Sequence, residues 1–216
     1  MSKPKIILFD VDGVLIRYPH NFSEEMKRRG YPEAKKVLGE FYDITNNRIY
    51  NEGKGDMKEM IVPYLKRFGW QGTVDDFFKE QMDFSRRYLD GDLVSLAGEL
   101  KKQGIGCYLA SNQDKYRAQF LWEDLNLQQS FDGHFFSCEI GYKKDDDGFW
   151  EYALENISGN NSGISTWDII YFDDARGNVE AASKFGIQSF LFTDKIQFEN
   201  DMNMLGFDIS LNEFSG

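Results

Sequence analysis

Four consecutive apolar residues, Ile6-Ile7-Leu8-Phe9, run without a break into Asp10-Val11-Asp12-Gly13-Val14-Leu15, and no other stretch constrains the chain as much. A short apolar run of this kind reads as a strand buried on both faces, as in a parallel sheet covered by helices. Ligands of such sheets gather beyond the carboxyl ends of the strands, where Asp10 and Asp12 fall. Residues i and i+2 of an extended segment point to one side, so both carboxylates are placed to face one crevice. The same residues also suit a solvated turn with glycine at positive φ. The rest of the chain has to decide between these readings.

From residue 17 to about 93 the texture is helical. Apolar residues recur at threes and fours over 23–29, 33–46, 56–68 and 74–88, most clearly as Met57, Met60, Ile61, Tyr64, Leu65 and Phe68. Asp56 and Thr73 stand where N-caps belong. A small helical insert at 17–93, between the first strand and a core made of 1–16 and 94–216, is expected.

Beyond the insert, helices and strands alternate. Helices are expected at 93–103, 115–125, 149–156, 178–185 and 198–205, and strands at 105–110, 134–138, 169–172 and 188–192. This order predicts an α/β fold, a Rossmann-like parallel sheet with right-handed crossovers and helices on both faces. Further polar groups follow its strands: Ser111 and Asn112, Lys143 and Lys144, Asp173 and Asp174. A hydroxyl and a backbone N–H at a helix entrance suit an anion. Four clustered carboxylates repel one another unless a cation joins them. Carboxylates with water and phosphate are the ligands Mg²⁺ prefers.

The chain carries 25 Lys and Arg against 36 Asp and Glu, for a net charge of −11. That argues against a nucleic-acid or anionic-membrane surface, while leaving room for one small anion held by a local lysine and a metal. Cys107 and Cys138, both in apolar stretches, read as buried free thiols. The start, Met-Ser-Lys-Pro-Lys, has no apolar signal region, and no run reaches the length of a membrane span, so a cytoplasmic protein is expected. His20 and His134 lie in no ligand-like spacing and read as structural or surface residues.

Taken in order, Phe9-Asp10-Val11-Asp12-Gly13-Val14-Leu15, Leu109-Ala110-Ser111-Asn112, Gly141-Tyr142-Lys143-Lys144 and Phe172-Asp173-Asp174-Ala175-Arg176-Gly177-Asn178 resemble the four motifs of the haloacid dehalogenase (HAD) superfamily. The insert after the first motif is similar to the helical cap of its phosphoglycolate phosphatase and β-phosphoglucomutase branch. The resemblance implies Asp10 as a nucleophile that forms an aspartyl-phosphate and Asp12 as the acid and base. It implies Mg²⁺ held by Asp10, the Asp12 carbonyl and Asp174, with Asp173 acting through water, and phosphate bound by Ser111, the Asn112 amide and Lys144. Relatives commonly place proline after the third-motif lysine, where this chain has Asp145; counted from Gly141, Lys144 fits better than Lys143. Dehalogenases of the superfamily need no acid for a halide, so Asp12 favours phosphoryl transfer. The expectation is a Mg²⁺-dependent phosphatase of a small phosphorylated metabolite such as a sugar phosphate. A phosphomutase or a non-catalytic binding member is the alternative. Arg17, Tyr18, His20, Asn47, Arg48, Tyr50 and Lys54 are insert residues available to face a substrate. Nothing in the sequence reports the oligomeric state.

Overall fold

The computed structural model describes residues 3–160 and 163–211. In chain order it runs β1 (Ile6–Phe9), α1 (Phe22–Arg28), α2 (Ala34–Phe41), α3 (Ile44–Asn51), α4 (Met57–Arg67), α5 (Val74–Arg86), α6 (Gly91–Lys102) and β2 (Gly106–Ser111). There follow α7 (Lys115–Gln119), β3 (Gly133–Phe136), α8 (Ser137–Ile140), α9 (Asp147–Asn160), β4 (Ile169–Asp173), α10 (Arg176–Ser183), β5 (Gln188–Leu191) and α11 (Lys195–Met204). The five strands form one parallel sheet in the order β3-β2-β1-β4-β5. The first strand is therefore central, and chain order reverses beside it, which is where α/β sheets bind ligands.

Alternation along the strands builds two apolar layers. Ile7, Phe9, Cys107, Leu109, Ile170 and Phe172 pack on one face with residues of α6 and α11. Ile6, Leu8, Ala110, Ile169 and Tyr171 pack on the other with α9 and α10, where Trp150 meets Tyr171 at a ring separation of 4.9 Å. Unbroken apolar strands are what covering on both faces requires.

Helices α1 to α5 pack round a third apolar cluster, with Met26, Leu38, Phe41, Ile61 and Phe77 at its centre. Asp56 caps α4 and Thr73 caps α5 in a reciprocal capping box with Asp76. The side chains reaching from this cluster to the sheet's loops are largely charged. Arg48 pairs with Asp146 at 2.5 Å, Lys143 reaches Asn47 at 2.9 Å, and Lys115 and Tyr116 each lie 2.7 Å from Asp56. Among the described residues, no helix is long and apolar enough to cross a membrane. Both cysteines are free, Cys107 buried and Cys138 partly so.

Three expected elements differ. The single helix over 33–46 is two, because α2 ends at Tyr42 once its buried stripe of Ala34, Val37, Leu38 and Phe41 is complete, and the chain turns before α3. The strand expected through Cys138 stops at Phe136, and Ser137 starts a helical turn closed by Gly141 in the left-handed region. The helix expected over 115–125 widens after Gln119 into a π-turn, in which Leu125 N–H donates to the Phe120 carbonyl at 2.8 Å.

Phe41 is fully buried against Tyr42, Tyr50 and Tyr64. Phe41→Ala should cost about 3–5 kcal/mol, read as a lower urea midpoint.

Candidate active site

The parallel register sets Phe9 beside Leu109 on one side and Phe172 on the other. The residues that follow these strands therefore meet. Asp10 N–H donates to the Phe172 carbonyl at 2.9 Å, which extends the ladder by one residue and aligns Asp10 with Asp173. One oxygen each from Asp10, Asp173 and Asp174 lies within 4.8 Å of the others, a spacing one cation can bridge.

Lys144 is 1% exposed, and its ammonium sits between two of these carboxylates, 2.8 Å from Asp10 and 2.6 Å from Asp173. Burial opposes its charge, but the two carboxylates overcome that and raise its pKa. Burial pushes the Asp10 carboxyl up, and neighbouring Asp173 adds to this against the pull of Lys144. Asp173 is buried too, yet Lys144 and its hydrogen bonds hold it below the ordinary carboxylate value. Those bonds come from the Tyr171 hydroxyl, the Ala175 N–H at 2.7 Å and the Asn178 amide at 3.0 Å. Both Asp173 oxygens are thus committed to the protein, whereas Asp174 is exposed and lines the open cleft with Asp10 and Asp12.

Ser111 Oγ donates to Asp10 at 2.8 Å. Asn112 uses its side-chain oxygen to accept the Lys144 N–H at 2.9 Å, which ties the lysine's loop to the end of β2. Trp150 Nε1 donates to the Lys144 carbonyl from the other side. Asp145 and Asp146 turn to Arg48 rather than to Lys144, and Lys143 turns to Asn47. Gly13 has φ +88°, and a Cβ there would lie 2.1 Å from the Asp174 carboxyl carbon, so only glycine lets that carboxylate approach.

Asp12 is held by groups the motifs do not name. One oxygen accepts from Arg117 at 2.6 Å and the other from Gln113 at 3.0 Å. Tyr18 is also within 3.3 Å. Gln113 lies two residues beyond Ser111, the same parity that relates Asp12 to Asp10, and that signal was available. His20 and His134 contact Glu25 and Glu139, each at 3.0 Å.

From Asp12 a cavity of about 400 Å³ opens between the helical insert and the sheet. Its walls mix aromatic and apolar side chains, such as Phe22, Tyr42, Tyr50 and Phe84, with the amides of Asn21 and Gln81. Arg117 is the one cation among its described lining residues, and it is paired with Asp12.

A family model described as haloacid dehalogenase-like hydrolase matches residues 4–186. The sesquiterpene phosphatase astK of Aspergillus oryzae is 32% identical over 196 residues, which cover 89% of this chain and 91% of that protein. A crystal structure of a HAD family enzyme from Bacteroides thetaiotaomicron superposes with a TM-score of 0.71 at 16% identity, covering 92% of this chain and 98% of that one. The same enzyme in complex with magnesium and inorganic phosphate gives 0.67 at 18% identity, over 90% and 98%.

Lys144→Met leaves Asp10 and Asp173 facing each other without the ammonium. In EDTA this should cost about 3–5 kcal/mol by urea denaturation. The loss should grow as pH rises and shrink in acid, where the carboxylates take up protons.

Proposed function

The chain belongs to the haloacid dehalogenase-like hydrolase family, and from that premise we propose that it is a Mg²⁺-dependent phosphatase acting on the monophosphate of a small uncharged alcohol. One observation carries the reading: Asp10, at the end of the central strand, is flanked by Ser111 and Lys144 and shares a cation-sized cluster with Asp173 and Asp174.

Asp10 is the nucleophile, and its attack on phosphorus gives an aspartyl-phosphate. Asp12 protonates the leaving alcohol and then takes a proton from the attacking water. Ser111, the Asn112 N–H and the Lys144 ammonium receive the transferring oxygens and the charge that develops on them. Asp10, the Asp12 carbonyl and Asp174 would hold Mg²⁺, with Asp173 behind them; when bound, the ion supplies positive charge against the phosphate. The residues present fit this group, since four carboxylates (Asp10, Asp12, Asp173, Asp174) face two cations (Lys144, Arg117) and retain the charge a divalent ion neutralises.

Residues 17–93 act as a cap over the core of 1–16 and 94–216, and the cavity between them receives the alcohol. The one cation among its described lining residues is paired, which disfavours a second phosphate or a carboxylate on the substrate, and with it the mutase alternative. The amides of the lining suit a sugar phosphate. The aromatic walls suit an apolar alcohol of the kind named for the Aspergillus oryzae relative.

Phosphate release should be measured on a panel of sugar monophosphates and a sesquiterpenyl monophosphate, with Mg²⁺ and with EDTA. Release should require Mg²⁺ and fall to background in Asp10→Asn. Release that persists in Asp10→Asn rejects Asp10 as nucleophile.

A further inference from the structure

Arg117 is a buried cation beside Asp12 that none of the four motifs includes. It lies in α7, whose start is capped by Asp114 through the N–H groups of Tyr116 and Arg117 at 2.9 and 3.2 Å. The residue is 7% exposed. Burying a guanidinium is costly unless each of its donors finds a partner. Here Nη2 lies 2.6 Å from an Asp12 oxygen and 2.8 Å from the Tyr18 hydroxyl, and Nη1 lies 2.6 Å from Ser85 Oγ. Ser85 gives its own proton to the Gln81 carbonyl one turn earlier in α5, at 3.0 Å, so it stands as an acceptor toward Arg117.

The second oxygen of Asp12 is fixed from the opposite direction. Gln113 Nε2 donates to it at 3.0 Å and to Ser111 Oγ at 2.9 Å, and Ser111 donates to Asp10. A continuous path of hydrogen bonds therefore runs from Asp10 through Ser111, Gln113, Asp12 and Arg117 to Ser85 on the helical insert. A carboxylate bonded on both oxygens cannot rotate freely about its own bond to Cβ. An acid that must reach the leaving oxygen needs that oxygen within about 3 Å, so its orientation governs its contribution.

We propose that Arg117 is a positioning residue: its guanidinium fixes the Asp12 carboxyl toward the leaving oxygen and makes that orientation depend on Ser85 of the insert. The inference rests on the phosphatase reading and on Asp12 as the acid. Lysine cannot replace this fork, because a single ammonium on a flexible stem lacks the two separate nitrogens with which the guanidinium reaches Asp12 and Tyr18 on one side and Ser85 on the other. A purely structural strut between α5 and α7 would show itself differently: its loss would lower stability and slow all substrates alike.

The leaving group separates the two. Aryl and alkyl phosphates of graded leaving-group basicity are hydrolysed by wild type, Arg117→Lys and Ser85→Ala, after melting curves establish that each is folded. For Arg117→Lys the loss in kcat/KM, which reports the expulsion of the alcohol and not the later hydrolysis of the aspartyl-phosphate, should be smallest for nitrophenyl phosphate, which needs little protonation, and should rise toward about 100-fold for alkyl phosphates. Ser85→Ala, which leaves Asp12 and Arg117 intact, should steepen the same dependence by a smaller amount. An equal loss of kcat/KM across the series in folded variants overturns the inference and leaves the phosphatase reading standing. If Arg117→Lys does not fold, a wild-type slope in Ser85→Ala overturns it as well. No phosphate release by the wild type on any substrate overturns both.

Discussion

Carboxylates with oxygens within 4.8 Å of one another, two of them buried, do not all stay ionised unless positive charge is brought to them. Lys144 is that charge within the protein, and much of the surrounding structure serves to put it there. Its backbone N–H is held by Asn112, its carbonyl by Trp150, and its ammonium lies between Asp10 and Asp173. The four partners come from segments that follow β2, begin α9, follow β1 and end β4, so the ion cluster assembles only once the sheet has formed in register. The cluster also divides labour among similar acids. Asp173 spends its oxygens on Lys144, Tyr171, Ala175 and Asn178, while Asp174 keeps its own turned to the cleft.

The close approach of Gly13 to Asp174 shows how little slack this leaves. A methyl group at position 13 would occupy the volume of the Asp174 carboxylate, and the backbone there has a φ that side chains resist. A turn glycine that looks like simple punctuation in the sequence is thus a steric condition on the site.

Strand ends were the legible part of this protein. Ile6–Phe9 and Ile169–Phe172 are apolar runs that end in carboxylates, and pattern alone locates them, the reversal of chain order aside. Asp10, Ser111, Lys144, Asp173 and Asp174 were legible because each follows a strand or sits in its loop. Lys144 could be chosen over Lys143 only by counting from Gly141; its burial and the turning of Asp145 and Asp146 toward Arg48 depend on contacts about a hundred residues away in sequence. Arg117 was not legible for a related reason. Its partners Tyr18, Asp12 and Ser85 are distant in sequence, and an arginine in a helical run reads as a solvated position until such partners are known. The split of residues 33–46 into two helices follows the same logic, since tertiary packing of α2 on its buried stripe decides where it stops.

The bridges between the helical insert and the sheet's loops carry an energetic consequence of their own. Arg48 with Asp146 and Lys115 with Asp56 are pairs at the water's edge, worth at most about 1 kcal/mol each, and the insert keeps a separate apolar cluster. Parting these pairs exchanges them for hydration, whereas Tyr18, Met82 and Tyr88, packed against both the insert's cluster and the sheet's, and the buried Arg117 held by Ser85 make a part of the seam that is not ionic at its surface. The seam over the cavity therefore has a rim whose grip dissolved electrolyte loosens through Debye screening, around a packed part that salt leaves in place.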